Sequence, residues 1–246
     1  MALTWSGNGR GTAVLLHGMM SLSNTWWRIG PALAERGWDV TALDLAAHGG
    51  NRLDRPLDLD ALVDSVTRAA AGPVDLLVGH SMGAGTAAAL AGRQPAYARA
   101  LVLEDPPGGR RDRGEELALG VERDAATDRK TLLARSRREH PTWAAENVEY
   151  DVVGIEQADA ASVAGGLRSG LGDWRTPALV AAVRAPVLLL AAADGDSALV
   201  GAARDGVRAA LPADRFVELP GGHCLHRDLP DRWLAEVDAF TAAVLG

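Results

Sequence analysis

The sequence predicts an α/β protein: a mostly parallel central sheet flanked by helices, with a helical lid inserted before the last strands. Three observations predict it. Short apolar runs recur along the chain, helical patterns lie between most of them, and one long charged segment interrupts the alternation. Strands covered on both faces read as near-continuous apolar runs. Strand alternating with helix is the pattern of a parallel sheet with helices on both sides.

The runs TAVLLHG (12–18), DVTALDL (39–45), VDLLVGH (74–80), RALVLED (99–105), PVLLLAA (186–192) and RFVELP (215–220) read as strands. TWWRIGPALAERG (25–37) reads as a helix ending at Gly37, a residue suited to a C-terminal cap. LDLDALVDSVTRAA (57–70) sets Leu59, Leu62, Val63 and Val66 on one face. MGAGTAAALAGRQ (82–94) is small and apolar, so it packs close to a sheet, and DRWLAEVDAFTAAVL (231–245) is an amphipathic closing helix. No strand pattern occurs between about 106 and 182, where EELALGVERDAA (115–126) and KTLLARSRREH (130–140) are helical. A structureless loop of that length is rare in a compact domain, so the segment is expected to be a helical lid over the sheet's carboxyl edge. The organisation read from this is a core over 1–105 and 183–246 with a lid at 106–182.

Composition narrows the function. The chain has 246 residues, 48% hydrophobic and 23% charged, with net charge −7. An acidic balance argues against nucleic acid as partner, and the arginine run RSRR (135–138) reads as an exposed helix face. Cys224 is the single cysteine, so no intramolecular disulfide forms, which suits a reducing compartment. The N-terminus lacks the pattern of a secretion signal, and no stretch reaches the ~18 apolar residues of a membrane span. A cytoplasmic protein acting on a small molecule is expected, with its oligomeric state open. Lys130 is the only lysine, which disfavours Schiff-base catalysis, and no spacing suggests a metal site or cofactor fingerprint.

The stretch VGHSMGAG (78–85) carries the chemistry. Ser81 follows an apolar strand and precedes a helix, where ligands bind in open α/β sheets. Gly79 and Gly83 lack the Cβ atoms that would collide across so tight a turn. The backbone N–H of Met82, at the helix N-terminus, has no helical partner and suits an anion beside the serine. Gly79-His80-Ser81-Met82-Gly83 therefore matches the G-x-S-x-G nucleophile elbow. The plainer reading of Ser81 is a helix N-cap. Two further stretches favour the elbow. HGMM (17–20) ends the first long strand and offers Met19 as the second oxyanion donor, and GGHCLHRD (221–228) follows the last strand and offers a histidine as general base.

Taken together, HGMM, GHSMG and PGGHCLHRDLP resemble the α/β-hydrolase superfamily over essentially the whole chain. DLAAHGGN departs from the family's usual Asp-x-x-Gly-His-Gly-x-Ser loop, and of the N-terminal antiparallel strands only ALTW remains. The resemblance places the base on His223, after Gly221 and Gly222. His226 is expected to order that loop, His80 to point away from the site, His17 and His48 to be structural, and His140 to lie in the lid. For the acid, the family's Gly-x-x-Asp pattern after PVLLLAA lands on Asp196, with Ala193 in place of the glycine. Asp105, in LEDPP, is the second choice because some members place the acid there, and Asp194 the third. Trp26, Trp27, Trp143 and Trp174 are candidates either for pocket walls or for ordinary packing. Cys224 reads as a small apolar residue.

The function expected is a cofactor-independent serine hydrolase cleaving a carboxylic ester, lactone or related acyl bond through an acyl-enzyme. A carbon–carbon bond hydrolase on a dicarbonyl compound is the runner-up, favoured if Arg110, Arg111 or Arg113 aims at a substrate carboxylate. A ligand-binding receptor on the same fold is the rival from another class.

Overall fold

The computed structural model of the chain describes residues 2–109, 113–171, 173–193 and 195–246. Seven strands form one sheet: β1 (Ala2–Trp5), β2 (Gly11–Leu16), β3 (Trp38–Leu43), β4 (Val74–His80), β5 (Ala98–Glu104), β6 (Val187–Ala192) and β7 (Phe216–Leu219). Their order is β1-β3-β2-β4-β5-β6-β7. β1 runs antiparallel to β3, and the other neighbours are parallel. ALTW is thus a strand, as its place in the resemblance suggested.

The continuous apolar runs have a direct cause. Successive side chains in a strand point to opposite faces. Val14, Leu16, Leu77, Leu101, Leu103 and Leu189 enter one buried cluster. Leu15, Leu76, Val78, Ala100, Val102 and Leu190 enter the other. The first face is covered by α2 (Leu59–Ala69) and α3 (Met82–Arg93), through Leu62, Val66, Ala84 and Ala88. The second is covered by α1 (Ile29–Glu35) and the C-terminal helix, through Ile29, Leu33, Trp233 and Val237.

The segment between β5 and β6 carries α4 (Gly114–Ala125), α5 (Arg129–Glu139), α6 (Ala145–Gln157), α7 (Ala160–Gly166) and α8 (Thr176–Ala181). The first two match the sequence reading, and the other three were not anticipated. α6 contains Gly154, a poor helix former, at a close approach: a Cβ there would lie 2.5 Å from the carbonyl oxygen of Met20. α8 packs against α3 and α9 (Gly201–Ala210), so the end of the segment rejoins the layer covering the sheet. The last helices are α10 (Leu225–Asp228) and α11 (Pro230–Leu245). The helix expected over 25–37 is instead a 3₁₀ turn, Ser23–Trp26, followed by α1. No helix among the described residues is long and apolar enough to cross a membrane.

The topology fixes where a site can form. From β2 the chain moves one way along the sheet to β3, then returns past β2 to β4 and continues the other way. The loops after β2 and β4 therefore part at a switch point, which opens a crevice at the carboxyl ends of the strands. The register places Leu16 beside Gly79 and His80 beside Glu104, so the residues that follow β2, β4 and β5 leave the sheet side by side.

Candidate active site

Ser81 has φ 52° and ψ −117°, a conformation that side chains other than glycine rarely adopt. The turn is closed on three sides. Its N–H donates to the carbonyl of Glu104 at 2.9 Å, and its carbonyl accepts from Ala84 at 2.9 Å and Gly85 at 3.1 Å. A Cβ on Gly79 would lie 2.3 Å from the carbonyl oxygen of Gly83, and one on Gly83 would lie 2.4 Å from that of Leu16. Both glycines are therefore needed for the helix to follow the strand so closely. Met82 is the first residue of α3, which leaves its N–H without a helical acceptor.

The loop after β2 is held by two histidines. The N–H of Leu45 donates to Nε2 of His17 at 3.0 Å, and Nδ1 of His17 donates to the carbonyl of Gly18 at 2.7 Å. The N–H of Met20 donates to Nε2 of His48 at 3.1 Å, and Nδ1 of His48 donates to the carbonyl of Ala46 at 2.8 Å. Both rings accept a backbone proton at Nε2, so both are neutral, and burial lowers their pKa values. Met20 has φ 57°. These bonds support the turn that brings Met19 to the cavity wall beside Ser81 and Met82.

Nδ1 of His223 lies 2.6 Å from Oδ2 of Asp105. Of the aspartates considered, this contact is made by Asp105, the second choice, and not by Asp196, which spacing after β6 put first. Asp196 is exposed on the cavity wall, while the two residues after it turn inward to Asp105. The hydroxyl of Ser197 donates to Oδ1 at 2.5 Å and the N–H of Ala198 to Oδ2 at 2.8 Å. The N–H of Ala192 adds a bond to Oδ1 at 3.1 Å. Asp105 is fully buried. Burial alone would raise its pKa, but His223, Ser197 and Ala198 outweigh that and hold it below the usual carboxylate value. Asp194 lies outside the described residues.

A second acid–histidine pair lies directly beneath. Glu104 precedes Asp105 and His226 follows His223 by three residues. Oε1 of Glu104 accepts from Nδ1 of His226 at 2.8 Å and from its backbone N–H at 3.1 Å, and Oε2 accepts from Nε1 of Trp233 at 3.0 Å. Nε2 of His226 meets the hydroxyl of Thr25 at 2.8 Å. Nε2 of His80 donates to the backbone carbonyl of His223 at 3.0 Å. Burial raises the pKa of Glu104 and lowers those of His80 and His226 well below the ordinary value. His80, Glu104 and His226 offer ligand atoms within 4.8 Å of one another. The bonds just given already occupy Glu104 and His226, so the trio reads as a brace for the His223 loop. The sequence reading gave His226 its ordering role but missed Glu104. An ionisable residue inside the apolar run LVLE was the available signal.

Ser81 and His223 line one cavity of about 320 Å³ with Met19, Met82, Leu117, Leu167, Leu171 and Trp174. Pro107, Gly108, Arg113 and Asp196–Ala198 complete the wall. Trp26 is instead buried against His226 and Trp233. Nε1 of Trp27 donates to Asn147 at 2.7 Å, and Nε1 of Trp143 to Asp228 at 2.6 Å. Of the four tryptophans considered, Trp174 is the one on the cavity wall. Desolvation pushes the Cys224 thiol up to about 12, which fits the reading of Cys224 as an apolar filler.

Comparison with known proteins agrees with this architecture. Residues 13–237 match the model of the "Alpha/beta hydrolase family". A curated relative from Oryza sativa subsp. indica, described as "Probable esterase PIR7A", is 32% identical over 140 residues, covering 52% of this chain and 53% of the relative. The chain thus spans about half the length of that relative. A crystal structure of a hydrolase from Pseudomonas aeruginosa PA01 superposes with TM-score 0.78 at 19% identity, over 97% of this chain and 92% of the other. The enol-lactonase from Burkholderia xenovorans LB400 superposes with TM-score 0.72 at 18% identity, over 98% and 96% of the two chains. The chain is a member of the alpha/beta hydrolase family.

Proposed function

We propose that the protein is a serine hydrolase of carboxylic esters or lactones, with Ser81 as nucleophile, His223 as general base and Asp105 as the acid that orients it. One observation carries the reading: Ser81, on its strained elbow, shares a cavity with His223, whose far nitrogen is held by the buried Asp105. With Nδ1 donating to Asp105, Nε2 is the nitrogen left to serve Ser81. Oγ of Ser81 attacks the substrate carbonyl while Nε2 takes its proton. The oxyanion that forms is stabilised by the N–H groups of Met19 and Met82. His223 then returns the proton to the departing alkoxide, leaving an acyl-serine and a free alcohol. Water repeats the sequence with His223 as base, releasing the carboxylic acid and restoring Ser81. Asp105 stays ionised throughout, and its depressed pKa suits that role.

The cavity favours an ester over a dicarbonyl carboxylate. Its lining is mostly apolar, and its one described arginine, Arg113, is already bonded by Glu116. Arg110 and Arg111, the other arginines considered for a substrate carboxylate, lie outside the described residues. The segment 106–182 acts in this reading as the lid, since Leu117, Leu167, Leu171 and Trp174 come from it.

Intact-mass measurement after incubation with a fluorophosphonate tests the assignment. One adduct on the wild type, absent from Ser81→Ala and strongly slowed in His223→Ala, is expected. A folded wild type that takes no adduct would overturn it.

A further inference from the structure

A second cavity, of about 490 Å³, adjoins the first. Its walls include Arg55–Leu59 and Leu179. Leu171 and Trp174 line both cavities. The two spaces therefore meet at these two side chains. The inner space sits at the small end of the range for ligand pockets, about 300–1,000 Å³, whereas the joined trough would lie well within it.

One of the two is fixed. Trp174 rests against α3 at Gly85, one helical turn beyond Ser81: a Cβ on Gly85 would lie 2.4 Å from the indole ring. That close contact holds the indole where the two cavities meet, beside Leu171.

Direction follows from the linings. The outer cavity takes Arg55–Asp58 from between β3 and α2, Leu59 from α2 and Leu179 from α8. His223, from the loop after β7, lines the inner cavity and is not among the described lining residues of the outer one. The leaving alcohol must face His223 to receive its proton. The arm that runs away from His223, toward Trp174, is then the acyl arm.

We propose that Trp174, with Leu171, is the residue that limits acyl length, and that the outer cavity is an acyl subsite closed off by the indole. The inference rests on the serine hydrolase reading. The native protein prefers esters of short acyl groups that end at Trp174. Replacing the indole joins the cavities and lets a longer acyl chain extend over Leu59 and Leu179.

The test is the kcat/KM profile on p-nitrophenyl esters from acetate to dodecanoate, for wild type, Trp174→Ala, Trp174→Phe and Leu171→Ala. Trp174→Ala is expected to raise the ratio of decanoate to butanoate turnover by about tenfold or more, with Leu171→Ala moving it in the same direction and Trp174→Phe keeping most of the native preference. Adding Leu179→Trp to Trp174→Ala should remove the gain by refilling the outer cavity. A native-like profile in both Trp174→Ala and Leu171→Ala, with Ser81 still labelled by fluorophosphonate, would overturn the proposal. A gain that survives Leu179→Trp would do the same, since the longer chain would then lie elsewhere. Absence of labelling in the wild type would instead sink the hydrolase reading. If Trp174→Ala fails to fold, judged by circular dichroism, Leu171→Ala and its Leu179→Trp double variant decide alone.

Discussion

The hydroxyl of Ser197 lies 2.5 Å from Oδ1 of Asp105, on the oxygen turned away from the closest contact with His223. The loop after β6 thus supplies a donor to an acid that comes from the end of β5. The same hydroxyl accepts from the N–H of Leu199 at 3.0 Å, so it also shapes the loop that delivers it. Ser197→Ala removes a bond to a buried carboxylate, and such bonds contribute about 1.5–3 kcal/mol when the partner is charged. The expected result is a fall of roughly ten- to a hundredfold in kcat, with KM little changed. Steady-state kinetics on one ester check it. A kcat within twofold of wild type would show that the remaining donors hold Asp105 unaided.

The choice between the two aspartates is directly testable. Asp105→Asn puts an amide where His223 needs a carboxylate, and the analogous change in a serine-histidine-aspartate site lowers kcat by about 10⁴. Asp196 is exposed on the wall, so Asp196→Asn should leave kcat within about threefold. Parallel kinetics of the two variants decide the matter. If Asp196→Asn proved the more damaging, the acid assignment would pass to the β6 loop.

Gly18 lies where the loop after β2 meets the elbow. A Cβ there would lie 2.8 Å from Nδ1 of His80 and 3.3 Å from Cβ of Ser81. Gly18→Ala must therefore displace either the ring that braces the His223 loop or the serine itself. Loss of one oxyanion donor costs about 10²–10³ in rate, and a loop pushed back by a methyl group should lose part of that. A fall in kcat of more than tenfold, with a Tm within a few degrees of wild type, is expected. Unchanged kinetics would show that this loop does not contribute to turnover.

Much of this was legible in the sequence, for physical reasons that differ by element. The strands were readable because each is buried on two faces, so Leu76 and Leu77 are apolar for different neighbours. The elbow was readable because its geometry admits only glycine at 79 and 83. The ranking of the aspartates differs from the geometry because spacing along the chain does not report which side chain turns inward. Ser197 and Ala198, rather than Asp196, turn toward the buried centre. Glu104 escaped notice because its partners, His226 and Trp233, lie more than a hundred residues away in sequence. α6 and α7 were missed because their glycines, such as Gly154, serve close packing that only the tertiary structure reveals. The contact of Trp174 with Gly85 joins residues far apart in sequence, which no local pattern encodes.

The buried histidines predict how stability responds to acid. His17, His48, His80 and His226 are all buried, and burial is the first cause holding their pKa values below the ordinary 6.5. In the unfolded chain each regains a pKa near 6.5. Below that pH the unfolded state binds more protons than the folded one, so stability falls as pH falls. Each histidine contributes a slope of up to about 1.4 kcal/mol per pH unit. Glu104 acts with the opposite sign, because its raised pKa lets the folded state hold a proton more readily, and it offsets at most one of the four. Unfolding near pH 5.5 should then take up more than one proton. Calorimetric unfolding at that pH, in two buffers of different ionisation enthalpy, gives the number. Urea midpoints should fall steeply between pH 7.5 and pH 5.5. Uptake of one proton or fewer would mean that the native state already carries charge on these rings, which the neutral pairings of His17 and His48 with backbone N–H groups do not allow.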